Sequence, residues 1–231
     1  MSRQRDREVA TQTMSQAKST AQQTVATSST RRWLAWLSPV LLIVAAVLLV
    51  ASIPFPYWGL VLEAPQYPEG LEVRVFVNEM TGDDDPQIDE VQEITGLNHY
   101  IGMKPLGEAA TFERSIAIPG IIVMVIALGI VAFVRRRWVW LLALPAAVFP
   151  LVFLGDLAYW LNDYGQNLDP YAPLSSAIHP FTPTIIGEGI IGQFKTVAYV
   201  NTGWYLAVVA AVLVIVALLL RWRGGRAAAG S

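Results

Sequence analysis

The residues best equipped for chemistry lie in one string, Leu97-Asn98-His99-Tyr100-Ile101-Gly102-Met103-Lys104-Pro105. His99 and Met103 stand four apart, so one helical turn would stack an imidazole and a thioether on the same face. That pair of donors suits copper, cuprous copper above all. Met80 would add a second thioether if the fold brought it near. The other histidine, His179, lies in Ser175-Ser176-Ala177-Ile178-His179-Pro180-Phe181-Thr182-Pro183. A purely structural assignment stays open beside this one: Asn98 capping a short turn, His99 bonded to backbone and Met103 filling a gap. A single His–Met pair is an incomplete ligand set, and Gly102 and Pro105 oppose a long helix.

Other chemistries find less. The chain has no cysteine, so a disulfide framework, a thiolate metal site and a cysteine nucleophile are all excluded. The run Asp83, Asp84, Asp85 lacks the alternating oxygen ligands and terminal glutamate of a calcium loop and reads as a solvated turn. No nucleophile elbow surrounds Ser176, and no Walker A, dinucleotide or metalloprotease motif occurs, so neither an enzyme nor a nucleotide site is expected.

The elements that must position these residues follow from composition. Of 231 residues 54% are hydrophobic and only 15% charged, which is too little solubilising surface for an ordinary soluble domain. The apolar residues fall into four blocks, 33–53, 116–134, 138–160 and 204–220, each within the length that crosses a hydrocarbon core as a helix. Tryptophans and tyrosines such as Trp33, Trp58, Trp138, Trp160 and Trp204 mark the block ends as an interfacial belt. Basic residues settle the expected direction. Arg3, Arg5, Arg7, Lys18, Arg31 and Arg32 precede the first block, Arg135, Arg136 and Arg137 lie between the second and third, and Arg221, Arg223 and Arg226 follow the fourth. The positive-inside rule then places both termini in the cytoplasm of a plasma (inner) membrane protein and both long connections outside. A net charge of −2 gives no reason to expect nucleic acid.

The segment 1–30, rich in Ser, Thr and Gln, is expected to be a disordered cytoplasmic tail, the first block an uncleaved anchor, and 221–231 a second cytoplasmic tail. The first connection, 54–115, contains two strand-like runs, Tyr57-Trp58-Gly59-Leu60-Val61-Leu62-Glu63 and Leu71-Glu72-Val73-Arg74-Val75-Phe76-Val77-Asn78, and so predicts a hairpin. A lone hairpin is marginal in water, so this one must rest on the helix ends or on another subunit. The second connection, 161–203, is rich in Pro, Gly and Tyr and is expected to be a loop. The fold class expected is an all-α integral membrane protein: four transmembrane helices with a small β-hairpin-containing exterior insert between the first two. No histidine lies within a block, so a transmembrane bis-histidine haem is not expected. Asp156 is the one carboxylate in a block. It reads either as an interfacial group bonding Tyr159 or a neighbouring chain, or as a proton-carrying site. Pro145 and Pro150 are expected to kink the third helix.

The order Tyr57-Trp58, Ala64-Pro65-Gln66-Tyr67-Pro68-Glu69-Gly70-Leu71, Leu97-Asn98-His99-Tyr100-Ile101-Gly102-Met103 and Pro180-Phe181-Thr182-Pro183 resembles small multi-span membrane proteins associated with nitrous-oxide reductase gene clusters, which accompany copper-handling accessory proteins. The resemblance covers most of the chain after the first block. It implies an accessory role in electron supply, maturation or copper delivery for a periplasmic copper-dependent respiratory enzyme. The partner-facing residues would be Tyr57, Trp58, Tyr67, Tyr100 and Phe181, and the copper ligands would come from His99, Met103, His179 and Met80. Four spans with Trp58-Gly59-Leu60 in the first exterior loop also look like the claudin layout, without that family's loop cysteines. A metal-free structural subunit of a larger complex and a transporter component relying on Asp156 remain alternatives.

Overall fold

The structure is a computed structural model and describes residues 36–83, 89–136, 138–191 and 194–229. The tail 1–30 and part of the acidic run around Asp84 and Asp85 lie outside the described residues. Helix α1 (Trp36–Ser52) leads into strands β1 (Trp58–Ala64), β2 (Tyr67–Val75) and β3 (Met80–Thr81). Helix α2 (Glu90–Ile101) follows, then α3 (Thr111–Phe133) and α4 (Leu144–Gln166), the last preceded by a 3-10 turn, Val139–Ala143. Strands β4 (Gly187–Ile191) and β5 (Phe194–Val200) come next, and α5 (Thr202–Ala229) ends the described chain.

Three helical stretches, Thr111–Phe133, Val139–Gln166 and Thr202–Arg223, are long and apolar enough to cross a membrane, and α1 is a shorter apolar helix. The expectation of four full-length spans is therefore met in three places. Of the first block, 33–53, only the part beginning at Trp36 lies among the described residues. The helices hide small or tightly fitting side chains from one another: Leu42, Ala45 and Leu49 on α1, Ile121, Leu128 and Val131 on α3, Ala207, Ala210, Val214 and Ala217 on α5. Alanine at these spacings lets backbones approach, which is how helices associate when the surroundings are as apolar as the side chains. Ile122, Val123, Ile126, Leu151, Val152 and Leu219 point outward, a surface suited to lipid. At one end of the bundle Arg221 donates from Nε to Ser38 Oγ (2.9 Å) and from Nη2 to the Ala132 carbonyl (2.8 Å), tying α5 to α1 and to the last turn of α3. Pro145 stands in the first turn of α4, directly after the 3-10 turn, where a proline forfeits no α-helical hydrogen bond. Pro150 does lie inside, and its carbonyl accepts from Trp204 Nε1 (3.1 Å).

At the other end stands a cap. Its sheet has five antiparallel strands in the order β3-β2-β1-β5-β4. This corrects the expected lone hairpin: the connection 161–203 supplies a second hairpin, and β5 pairs with β1 from Trp58↔Val200 to Glu63↔Lys195. The sheet's inner face (Leu62, Leu71, Val73 and Phe194) packs on Ile94 of α2. Its outer face carries Glu72, Arg74, Tyr199 and the Glu63–Lys195–Glu188 ion pairs. The edge of β2 is covered by Glu90, a buried carboxylate that accepts from the Glu72 amide (2.9 Å) and the Asp83 amide. That cover removes unpaired donors from an edge that would otherwise invite another strand.

Tyr57 joins cap to bundle. It is fully buried, and its amide donates to the Val75 carbonyl (2.8 Å) while its own carbonyl accepts from Asn201 (2.9 Å). Its ring lies 4.9 Å from Phe153 and 6.0 Å from Phe149 of α4. Ser52 Oγ donates to the Leu49 carbonyl (2.7 Å), so its single proton is engaged and the Tyr57 hydroxyl must donate to Ser52 Oγ (2.7 Å). Gly203 lies against the ring where no Cβ would fit. Replacing Tyr57 by Phe removes one buried hydrogen bond and should cost about 1 kcal/mol. Tyr57→Ala should cost about 3–5 kcal/mol by opening a cavity. Thermal unfolding of the purified full chain in detergent measures both, and an alanine variant melting with the wild type would remove Tyr57 from this role.

Candidate functional site

Helix α2 begins at Asp89, whose side chain accepts from the Gln92 amide (3.1 Å), and ends at Ile101 because Gly102 takes a left-handed conformation (φ 87°). The Met103 amide then donates back to the Asn98 carbonyl (2.8 Å), closing the helix end. Glycine is required here twice over. The left-handed φ disfavours any side chain, and a Cβ would sit 2.8 Å from the Asp169 nitrogen and 2.9 Å from its oxygen. Through this contact the second connection docks on the end of α2: the Asp169 amide donates to the Gly102 carbonyl (2.8 Å) and the Leu174 amide to the Tyr100 carbonyl (3.0 Å).

The turn at Gly102 corrects the expected stacking of His99 on Met103. The helix stops before it reaches Met103. His99 is exposed in the last turn, its ring edge-on to Tyr100 at 6.2 Å, whereas Met103 is half-buried and lines an apolar cavity together with Met80. His179 is exposed in the second connection. Among the described residues no three His, Asp or Glu side chains gather as a metal would need. Of the four residues, Met80 and Met103 line the cavity, whereas His99 and His179 are exposed.

The aromatic residues expected to meet a partner divide in the same way. Tyr57 and Trp58 are buried inside the chain, which corrects their assignment as contact residues; Trp58 Nε1 donates to the Ile185 carbonyl (2.6 Å). Phe181 is half-buried and crosses α4 at Gly165, its amide donating to the Gly165 carbonyl (2.9 Å), with no room there for a side chain. Tyr67 packs beside the cap core, and its hydroxyl donates to Glu93 Oε2 (2.6 Å), a bond to a carboxylate that pushes the phenol's pKa up. Tyr100 is 55% exposed. The Leu174–Tyr100 bond brings the 171–174 turn beside it, and Tyr171 is 92% exposed. Sequence reasoning missed Tyr171, since nothing in its neighbourhood separates it from an ordinary loop tyrosine.

The cap-side end of α4 is the post on which the loops lean. Asp163 pairs with Lys104 (2.8 Å), the Tyr164 hydroxyl donates to the Pro105 carbonyl (2.9 Å), and Gln166 Nε2 donates to Thr182 Oγ1 (3.1 Å). Asp156 is half-buried lower on the same helix, with Glu113 and Trp160 as the polar side chains near it. Glu113 belongs to the first turn of α3, which starts before the apolar block at 116 and so brings an acidic residue into the helix. Between the sheet's inner face, α2 and this end of α4 lies a partly open cavity of about 120 Å³, walled by Leu60, Val73, Ile94, Leu157, Trp160 and Phe194 among others.

On the outer face, Arg74 Nε donates to Glu72 Oε1 (3.0 Å) and the Tyr199 hydroxyl donates to the same oxygen (2.8 Å). The Arg74 bond holds the Glu72 carboxyl below its ordinary range, while burial and the bond to Glu72 push Tyr199 up to about 12. A depressed carboxyl stabilises the fold above its unfolded pKa, about 4.3, and that contribution is lost as pH falls through the lower folded value. A raised phenol stabilises below its unfolded pKa, about 10, and that contribution is lost as pH climbs towards the folded value. Melting of the full chain across pH should therefore show losses in both windows, and Glu72→Gln should shrink both. Unchanged limbs in that variant would contradict the network.

No protein-family model matches the chain, and no curated protein matches it.

Proposed function

We propose that this chain is a non-catalytic membrane accessory protein whose cap faces the periplasm or cell exterior and docks a partner protein. In this reading α1 belongs to a fourth span and both termini are cytoplasmic. Arg135, Arg136, Arg221 and Arg223, all at the end of the bundle away from the cap, support that direction. The observation that carries the docking role is the pairing of Tyr100 with the 171–174 turn through the Leu174 amide (3.0 Å). It places two exposed tyrosines and His99 on one tip, held by Gly102 and its contact with Asp169. Tyrosine is favoured at the centre of protein interfaces because it offers a large, stiff contact area with one polar end.

The class of partner rests on the resemblance carried by the string around His99: a copper-dependent respiratory enzyme, whose maturation or electron supply the protein serves by holding it at the membrane. Docking, more than metal carriage, is favoured by the separation of the imidazoles from the thioethers. The full chain should be affinity-purified from its native membranes in mild detergent, with the copper and protein content of the eluate measured. A copper-containing partner is expected with the wild type and about tenfold less with a Tyr100→Asp, Tyr171→Asp double variant. Equal recovery from both, or no partner from either, would contradict docking through this tip. A metal-free partner lost on mutation would keep docking and overturn the copper assignment.

A further inference from the structure

The cavity behind the tip has a wall chemistry of its own. Its lining comes from the sheet (Leu60, Val73, Phe194), from α2 (Ile94) and from α4 (Leu157, Trp160), and it is almost wholly carbon. At about 120 Å³ it approaches the roughly 150 Å³ apolar cavity that stays dry and takes up a benzene-sized molecule. Water is a poor occupant, because it needs two to four polar partners. The polar ends of Trp58 and Tyr164 already donate to the Ile185 and Pro105 carbonyls (2.6 and 2.9 Å). Asn98 and Trp160 are different. Both line the same cavity, and Asn98 Nδ2 and Trp160 Nε1 are buried with no hydrogen-bond partner. Trp160 has the Asp156 carboxyl near it on its own helix, whereas Asn98, only 7% exposed, has no such neighbour among the described residues. Leaving a buried amide donor unpaired is costly, so the site is built for an apolar molecule that carries an acceptor.

Position narrows the class. Leu157, Trp160, Leu161 and Tyr164 of α4 wall the cavity, while Leu151, Val152 and Tyr159 of the same helix are exposed on a surface suited to lipid. Tyrosine and tryptophan at a helix end mark headgroup depth, which is where the ester carbonyls of a bilayer lie. We infer that the cavity binds an acyl chain by its carbonyl-bearing end, with Asn98 Nδ2 donating to the carbonyl oxygen and the first few carbons filling the apolar space. The bilayer's own diester lipid is the source to which the position of α4 points; a free fatty acid offers the same chemistry. This inference is independent of the docking partner.

The test uses the full chain in nanodiscs of a diester phosphatidylglycerol, in nanodiscs of its diether analogue, which lacks the carbonyls, and in diether nanodiscs supplemented with oleic acid. Native mass spectrometry then counts the acyl molecules that stay with the protein. One diester lipid per chain is expected, retained about tenfold better than the diether, since pairing a buried donor is worth that much or more. Asn98→Leu should reduce diester retention to the diether level. Leu60→Trp, and separately Ala109→Phe, which fills the same cavity from a loop outside the sheet, should abolish it. Oleic acid retained while the diester is not would assign the site to the free acid. Equal retention of diester and diether by the wild type, or full retention by a folded cavity-filled variant, would overturn the inference.

Discussion

The structure depends on how the chain leaves the helical bundle and returns to it. Five residues after α1 ends, Tyr57 is fixed from four sides: by Ser52 of α1, Phe153 of α4, the Val75 carbonyl of β2 and the Asn201 amide at the entry to α5. Pro56 and Gly203 add a further backbone bond of 2.8 Å. Because exit and re-entry are held together here, β1 and β5 leave the junction side by side, and their pairing follows from Trp58↔Val200 outward. A hairpin that would be marginal alone becomes half of a five-stranded sheet.

On that base the remaining parts of the cap act together. Helix α4 rises beyond its apolar stretch and gives the loops Asp163, Tyr164 and Gly165 to lean on. Gly102 ends α2 where the second connection must cross, and that crossing brings the 171–174 turn to the Tyr100 backbone on the outside while Met103 lines the cavity on the inside. One short string therefore serves two surfaces. Its tyrosine and histidine face solvent; its asparagine and methionine line an apolar space beside α4. The string is distinctive because it must end a helix, pass another chain segment at close range and dress both sides of the turn.

Much of this was legible in the sequence, and what was not has physical causes. The apolar blocks at 116–134, 138–160 and 204–220 became helices because a long uninterrupted apolar run leaves the backbone no other partner. Alternation located β1 and β2 within a few residues. The second hairpin escaped notice because its small residues disguise it: Gly189 sits where a Cβ would come within 2.8 Å of both Thr184 and Thr196, so packing demands a residue that strands ordinarily avoid. Tyr57 and Trp58 looked like interfacial aromatics available to a partner, but the pairing of the two connections buries them, and pairing between distant segments leaves no local mark. Spacing alone put His99 with Met103; one glycine with a positive φ separates them. Likewise Glu113 was out of view beside Asp156 because α3 starts before its apolar block does.

The most direct test asks whether the two connections share one sheet in the stated register. The absence of cysteine gives a clean background for a disulfide between Val61→Cys and Val197→Cys, opposite one another on β1 and β5. The same measurement on Val61→Cys with Ala198→Cys, one residue out of register and on the opposite face, supplies the comparison. Under mild oxidation the full-length protein in detergent should form the first bridge nearly completely and the second hardly at all, read by whether fragments from a cut between the two connections stay joined. Equal bridging of both pairs, or of neither, would contradict a single cap built on β1 and β5.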